Sequence, residues 1–305
     1  MLTMLIAASL LGHATGPPRQ TLESSVRAIV AASGAEVAVA YRTLDGRAEL
    51  FLDADTSFHA ASTMKVPVMI ELFRQAHAGV LSLDAPLPII NDFHSIVDGS
   101  RYALSEGDEA DRDVVAALGR TLTLRQLCEA MITVSSNFAA NLLIEKLGVE
   151  NIRRTVTSLG ADGMHVLRGV EDQKAFDAGL NNTTTARALL VLLERIGQGK
   201  AVDENSDAEM VRILARQKVS PDAIPAGVPA GIVVAHKTGN ITRIHHDAAI
   251  VLAPRPYVLV ILVRGIEQLE KSAALMASVS RAVYESQVRA RAAGDAGFAL
   301  PDPTR

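Results

Sequence analysis

Hydrophobic residues recur at helical spacing over residues 21–32, and short, nearly continuous apolar runs follow over 36–42 and 48–53 about the turn Asp45-Gly46. That change of pattern predicts a helix followed by an antiparallel pair of strands. A helical middle follows, with apolar positions three and four apart over 62–77, 124–131, 136–147, 149–159, 184–196 and 207–216. Beyond the proline-broken segment 220–229, strand patterns return at 232–237, 248–253 and 257–264, and a long helix is predicted over about 267–292. Strands at both ends of the chain, with helices between them, imply that the two ends meet. The predicted fold is α+β: one antiparallel sheet of about five strands flanked by the N- and C-terminal helices, with an inserted all-helical domain. Residues 21–60 and 218–295 then make the sheet domain, 61–217 the helical domain and 296–305 a tail.

Composition acts on this picture mainly by exclusion. A net charge of −4, from 30 basic and 34 acidic residues intermixed, provides no cationic field for nucleic acid and no polybasic membrane patch. Cys128 is the only cysteine, which rules out an intrachain disulfide or a thiolate metal cluster, and its helical surroundings read as a small buried apolar group. Residues 1–11 form an apolar run too short to span a bilayer but of a length suited to a secretory signal, although no Lys or Arg precedes Arg19. We expect 1–20 to be a weak signal peptide and the protein to be periplasmic or secreted. The acidic run Asp108-Glu109-Ala110-Asp111-Arg112-Asp113 reads as a solvated loop or helix start, because the alternating ligand spacing of a calcium loop is absent.

Three short words carry candidate chemistry. Ser62-Thr63-Met64-Lys65 opens a helix that is hydrophobic around most of its circumference, so it should be buried. Ser62 and Lys65, three apart, share a helix face; a lysine kept from water has a lowered pKa and can take the hydroxyl proton, while free N–H groups at the helix start favour an oxyanion. Ser135-Ser136-Asn137 stands at the start of the next helical pattern, and Lys237-Thr238-Gly239 ends a strand pattern. An ammonium and a hydroxyl on an edge strand suit a carboxylate, and Gly239 permits close approach to the backbone. Taken singly, the words read as helix caps, a snorkelling lysine and a strand-to-turn junction. Together they supply a nucleophile, an amine base, a second proton carrier and a cationic clamp, the set that covalent cleavage of an amide requires. His236, His245, His246 and Asp247 raise the question of zinc, but adjacent histidines on a strand point to opposite faces, so no metal or other cofactor is expected. One of these histidines, or Arg243, is a further candidate for contacting a substrate carboxylate.

On these motifs the chain resembles the penicillin-recognising serine hydrolases, and within them the class A β-lactamases. The likeness runs from about residue 21 to 292 in the same order and approximate spacing. It implies a sheet domain joined to a helical domain, with the active site in the seam. It further implies that Ser62 is acylated, that Lys65 is its proton partner, and that Ser135 passes a proton to the leaving nitrogen. Asn137 would bind the acyl amide, Lys237 with Thr238 the carboxylate, and the backbone N–H groups of Ser62 and Asn240 the oxyanion. The implied activity is that of a monomeric serine β-lactamase acting on a small-molecule β-lactam. The alternatives are a DD-peptidase or esterase of the same fold acting on an acyl-D-Ala-like substrate, or a non-turnover penicillin-binding sensor.

Two departures stand out. Ser136 occupies a position that in such β-lactamases usually carries Asp. The family's deacylating loop resembles Arg-x-Glu-x-x-Leu-Asn, later followed by Asp-Thr-Thr-Thr, whereas here the stretch from Arg168 to Thr185 admits two frames. Counting forward from Arg168 selects Glu171, one residue late; counting back from Leu180-Asn181 selects Asp177. We expect Glu171 to be the deacylation base, because the interval from Arg168 to Asn182 then nearly keeps the family's loop length. Asp177 is the alternative, and solvated charges with no role are the remaining reading. Asn182 in place of Asp removes an ion pair expected with Arg168 and predicts a more weakly held loop.

Overall fold

The computed structural model describes residues 21–107, 109 and 111–296, so the expected signal segment and nearly all of the expected tail lie outside the described residues. The chain begins with α1 (Leu22–Ser33), capped by Thr21 and ended by Gly34 in the left-handed conformation (φ 65°). The hairpin of β1 (Glu36–Thr43) and β2 (Glu49–Leu52) follows, then the short β3 (Phe58–His59). A 3-10 turn at Ala61–Met64 leads into α2 (Lys65–His77). The middle contains β4 (Pro86–Pro88), β5 (Phe93–His94), β6 (Arg101–Tyr102), α3 (Arg112–Ala116), β7 (Thr121–Thr123), α4 (Leu124–Thr133), α5 (Asn137–Leu147) and α6 (Val149–Ser158). It continues through α7 (Gln173–Asp177), β8 (Thr183–Thr184), α8 (Ala186–Gly197) and α9 (Glu204–Leu214). The strands β9 (Val234–Ile241), β10 (Ile244–Val251) and β11 (Tyr257–Arg264) and the helix α10 (Leu269–Ala296) complete it.

The two ends of the chain do meet in one sheet. Its five antiparallel strands run in the order β2-β1-β11-β10-β9, so β1 pairs with β11 across more than two hundred residues of sequence. One face packs under α1 and α10, where Val26, Val279 and Val283 meet Val39, Leu259 and Ile261. The opposite face, with Ala38, Ala40, Val260 and Leu262, merges with the core of the helical middle through Leu189 and Leu193 of α8 and Met64 and Ile70 near α2. Each fully buried aliphatic side chain in these layers contributes about 1.5–3 kcal/mol relative to exposure.

Three differences from the sequence expectation bear on the site. The helix expected from residue 62 begins as a 3-10 turn, and α2 proper starts at Lys65. Strand β9 extends to Ile241, so Lys237-Thr238-Gly239 lies within the strand instead of at its end. The two- and three-residue ladders β3–β8, β4–β7 and β5–β6 were not expected, since segments so short show no measurable period.

Candidate active site

Ser62 is held in a strained turn. Ala61 takes a left-handed φ of 44°, which the hydrogen bonds Ala61 N to His59 Nδ1 (3.0 Å) and Thr63 Oγ1 to Ala60 O (2.6 Å) sustain. Lys65 is fully buried, and its Nζ donates to Ser62 Oγ (3.1 Å), Ser135 Oγ (3.2 Å), Ser135 O (2.7 Å) and Asn137 Oδ1 (2.8 Å). Four oxygens thus share at most three N–H groups, and the neutral amine has a lone pair for the Ser62 hydroxyl proton. Burial brings the Lys65 pKa down to about 7, against the opposing charges of Glu109 and Glu171.

The second word forms the opposite wall. Ser136, not Ser135, caps α5 by accepting from Ala139 N (3.1 Å), and Ser135 is left in a left-handed conformation (φ 64°) that aims its side chain at both amines. Lys237 Nζ donates to Ser135 Oγ at 3.1 Å and to Thr238 O at 2.9 Å. Burial, and secondarily the Lys65 charge, pushes the Lys237 pKa well below the ordinary lysine value, with Asp247 acting in opposition. The Ser135 hydroxyl therefore bridges two lysines of reduced basicity, an arrangement able to pass a proton. The strand carrying Lys237 lies directly against the Ser62 turn: a methyl group added to Gly239 would stand 3.1 Å from Ser62 N, Ala61 Cβ and Thr63 Cγ2. Asn240 comes next in the strand, and its Oδ1 is buried without a partner. The Thr238 hydroxyl makes a long 3.5 Å contact with Gln217 Nε2.

The loop from Arg168 closes the third side. Glu171, with φ 62°, accepts from Asn137 Nδ2 at 2.9 Å and lines the cleft above Ser62. Asp177 instead accepts from Gln173 Nε2 on an exposed turn of α7, away from that cleft. What holds Glu171 was not foreseen. Asn141, one turn along α5 from Asn137, accepts from Val170 N (2.7 Å) and donates to Val170 O (3.0 Å), while Gly169 passes so close that a Cβ there would lie 2.6 Å from Asn141 Oδ1. The available signal was a polar residue inside the otherwise apolar Phe138–Ile144 stretch, on the same face as Asn137. The weak loop expected from Asn182 is also corrected. Its amide accepts from Leu167 N and Arg168 N and donates to Arg168 O, and Arg168 itself donates to Leu180 O, Gly169 O and Asn181 Oδ1. A neutral amide clamp takes the place of the ion pair.

The acidic run is likewise not all solvated, because Glu109 is buried. The histidines are buried as well. His236 pairs with Asp247 (2.9 Å), His245 with Ser272 on α10 (2.7 Å), and His246 with His59 O on the opposite face (2.9 Å). Arg243 is committed to Gly265 O on the exposed β9–β10 turn, so none of these reaches the Ser62 cleft. Among the described residues no group of three or more His, Cys, Asp or Glu side chains is arranged to hold a metal. The cleft has a volume of about 470 Å³ and is bordered by His59, Asn137, Glu171, Phe176, Asn240 and Ile241. A larger one of about 740 Å³ lies between α2 and α6 and contains none of the groups above.

The sequence profile of the family described as "Beta-lactamase enzyme family" matches residues 21–287, nearly the whole described chain. The chain belongs to that family. A beta-lactamase of Amycolatopsis lactamdurans is 29% identical over 277 residues, covering 88% of this chain and 86% of that protein. Among solved structures, an ancestral class A beta-lactamase (GNCA) superposes with a TM-score of 0.75 at 25% identity, over 87% of this chain and 100% of that one. A single-substitution variant of PBP-A, solved as an acyl-enzyme complex with penicillin G, gives a TM-score of 0.72 at 25% identity, over 88% and 96% of the two chains. The class A likeness first seen in three short words of this beta-lactamase family member thus extends through its fold.

Proposed function

We propose that the protein hydrolyses the amide of β-lactam rings through an acyl-enzyme on Ser62. The observation that carries this reading is the fully buried Lys65, whose Nζ lies 3.1 Å from Ser62 Oγ; burial brings its pKa down to about 7. As neutral amine it takes the hydroxyl proton while Ser62 Oγ attacks the lactam carbonyl. The oxyanion forms in the narrow gap between the Ser62 turn and β9, where the Ser62 and Asn240 N–H groups receive it. The proton then passes from Lys65 through Ser135 Oγ to the lactam nitrogen as the C–N bond breaks. Lys237 and Thr238 hold the substrate carboxylate, and Asn137 holds its acyl amide. In the second half-reaction, Glu171 takes a proton from water as the water oxygen attacks the ester; the bond to Ser62 Oγ then breaks, and the proton returns to Ser62 Oγ by way of Lys65, restoring the Glu171 carboxylate and the free hydroxyl.

A second reading, acylation with little turnover, is favoured by one observation: the similar PBP-A variant was captured as an acyl-enzyme. Nitrocefin turnover with burst analysis separates the two. Many turnovers are expected; a single stoichiometric burst would overturn hydrolysis while leaving the Ser62 chemistry in place. Ser62→Ala should abolish labelling by a fluorescent penicillin. Glu171→Gln should keep labelling but lengthen the lifetime of the adduct by about 10²–10⁴-fold, the usual contribution of a general base, whereas Asp177→Asn should not. The reverse result would assign deacylation to Asp177. We further propose that the protein acts as an exported monomer; no helix among the described residues is long and apolar enough to cross a membrane.

A further inference from the structure

Glu109 lies in the connection between β6 and α3 with only 5% of its surface exposed, and no ion pair to it is found among the described residues. Its Oε2 accepts from Asn137 N (3.0 Å) and Phe138 N (2.9 Å), and its Oε1 accepts from Asp111 N (3.0 Å). Asn137 and Phe138 open α5, whose first turn contains no acidic residue of its own, and Ser136 Oγ serves only the third donor, Ala139 N. A carboxylate 28 residues upstream therefore satisfies the donors that nothing local reaches. Charge-assisted bonds to several N–H groups at a helix start offset much of the desolvation of the buried carboxylate.

The gripped turn is the one that surrounds Lys65. Three of the four oxygens around Lys65 Nζ belong to Ser135 and Asn137, and Ser135 is held in a left-handed conformation. That conformation costs about 1–3 kcal/mol and needs anchors on both sides. Before Ser135, Val134 N donates to Ala130 O (3.4 Å); after it, Ser136 N donates to Ala130 O (3.1 Å) and Glu109 holds the next two N–H groups.

We propose that Glu109 is a positioning residue for acylation, fixing Ser135 and Asn137 about Lys65 and facing the Lys65 amine with a buried negative charge. The proposal rests on the reading that Ser62 is acylated with Lys65 as base. The charged groups around Lys65 are Glu109, Glu171 and Lys237; the two carboxylates act to raise its pKa, and Glu109 acts more strongly than Glu171. Removing the Glu109 charge lets Lys65 lose its proton more readily.

The test uses Glu109→Gln and Glu109→Ala, each checked for cooperative melting. Labelling by a fluorescent penicillin is followed from about pH 5 to 9, and the Lys65 titration is read from its ε-carbon NMR shift where labelling is too slow. Labelling at pH 8 should slow by at least about tenfold, and the acid limb should move down by about half a pH unit or more. Glu109→Asp, which keeps the charge on a shorter arm, should slow labelling without moving the limb. Ser136→Ala, which removes the neutral cap alone, should lower the melting temperature and also leave the limb in place. A wild-type limb in whichever uncharged variant folds overturns the proposal, since a merely structural grip does not change the titration of Lys65. If the wild-type protein takes up no penicillin, the reading of Ser62 fails instead.

Discussion

Replacing Asn141 with Ala removes a side chain that touches no reacting atom, yet it should uncouple the two half-reactions. Asn141 is 1% exposed, and its amide makes three bonds: to Val170 N, to Val170 O and, at 3.3 Å, to Tyr102 Oη. Each intramolecular bond contributes about 1 kcal/mol net, and a buried backbone group left unpaired costs about 1–3 kcal/mol. Val170 is only half-buried, so water can reach part of what is exposed, and the loss should settle near 3 kcal/mol. In a chain of 305 residues that lowers the melting temperature by about 5 °C. The functional effect is more selective. Val170 precedes Glu171, whose carboxylate is aimed by a left-handed φ of 62° that a freed loop would not retain. Attack by Ser62 depends on Lys65, Ser135 and Lys237, none of which Asn141 contacts. The expected result is near-normal labelling by penicillin with deacylation slowed by about 10²-fold or more. Pre-steady-state nitrocefin kinetics and intact mass spectrometry of the adduct measure both halves. Wild-type turnover in N141A would refute the view that the α5-to-Val170 clamp aims the hydrolytic carboxylate. An equal loss in both halves would refute the independence of the two steps.

Two further outcomes follow from the same geometry. With the Lys65 pKa near 7, the amine is protonated below that pH and cannot accept the Ser62 proton, so kcat/KM for acylation should fall about tenfold per pH unit on the acid side and level off above it; a rate unchanged at pH 5 would exclude Lys65 as base. Gly239→Val should press side-chain carbon against Ser62 N, part β9 from the Ser62 turn and cost about 10²-fold in kcat/KM through the oxyanion donors, and wild-type kcat/KM for β-lactams would show that the gap is not where the oxyanion forms.

Much of the molecule is legible in the chain before any coordinates. Short apolar runs place strands at both ends and helical periods place helices between, because the first marks a strand covered on both faces and the second a helix buried along one stripe. The first word pairs Ser62 with Lys65 through spacing, since residues three apart at a helix start share a face, while Ser135, Asn137, Lys237 and Thr238 are named by their residue types together with the family resemblance. Tertiary structure decided the rest. Loop length favours Glu171 over Asp177 without excluding the second, and the left-handed turn after Gly169 brings the first to Asn137 and leaves the second on Gln173. Asn182 looked like a lost ion pair until its amide was found closing on the Arg168 backbone. Glu109 looked like one of several solvated acids, and its burial depends on a helix start 28 residues away. Local order fixes the period of a segment and the side chains within one turn. Which charge leaves water is set by groups distant in sequence, because a buried carboxylate is tolerated only where folding delivers donors to meet it.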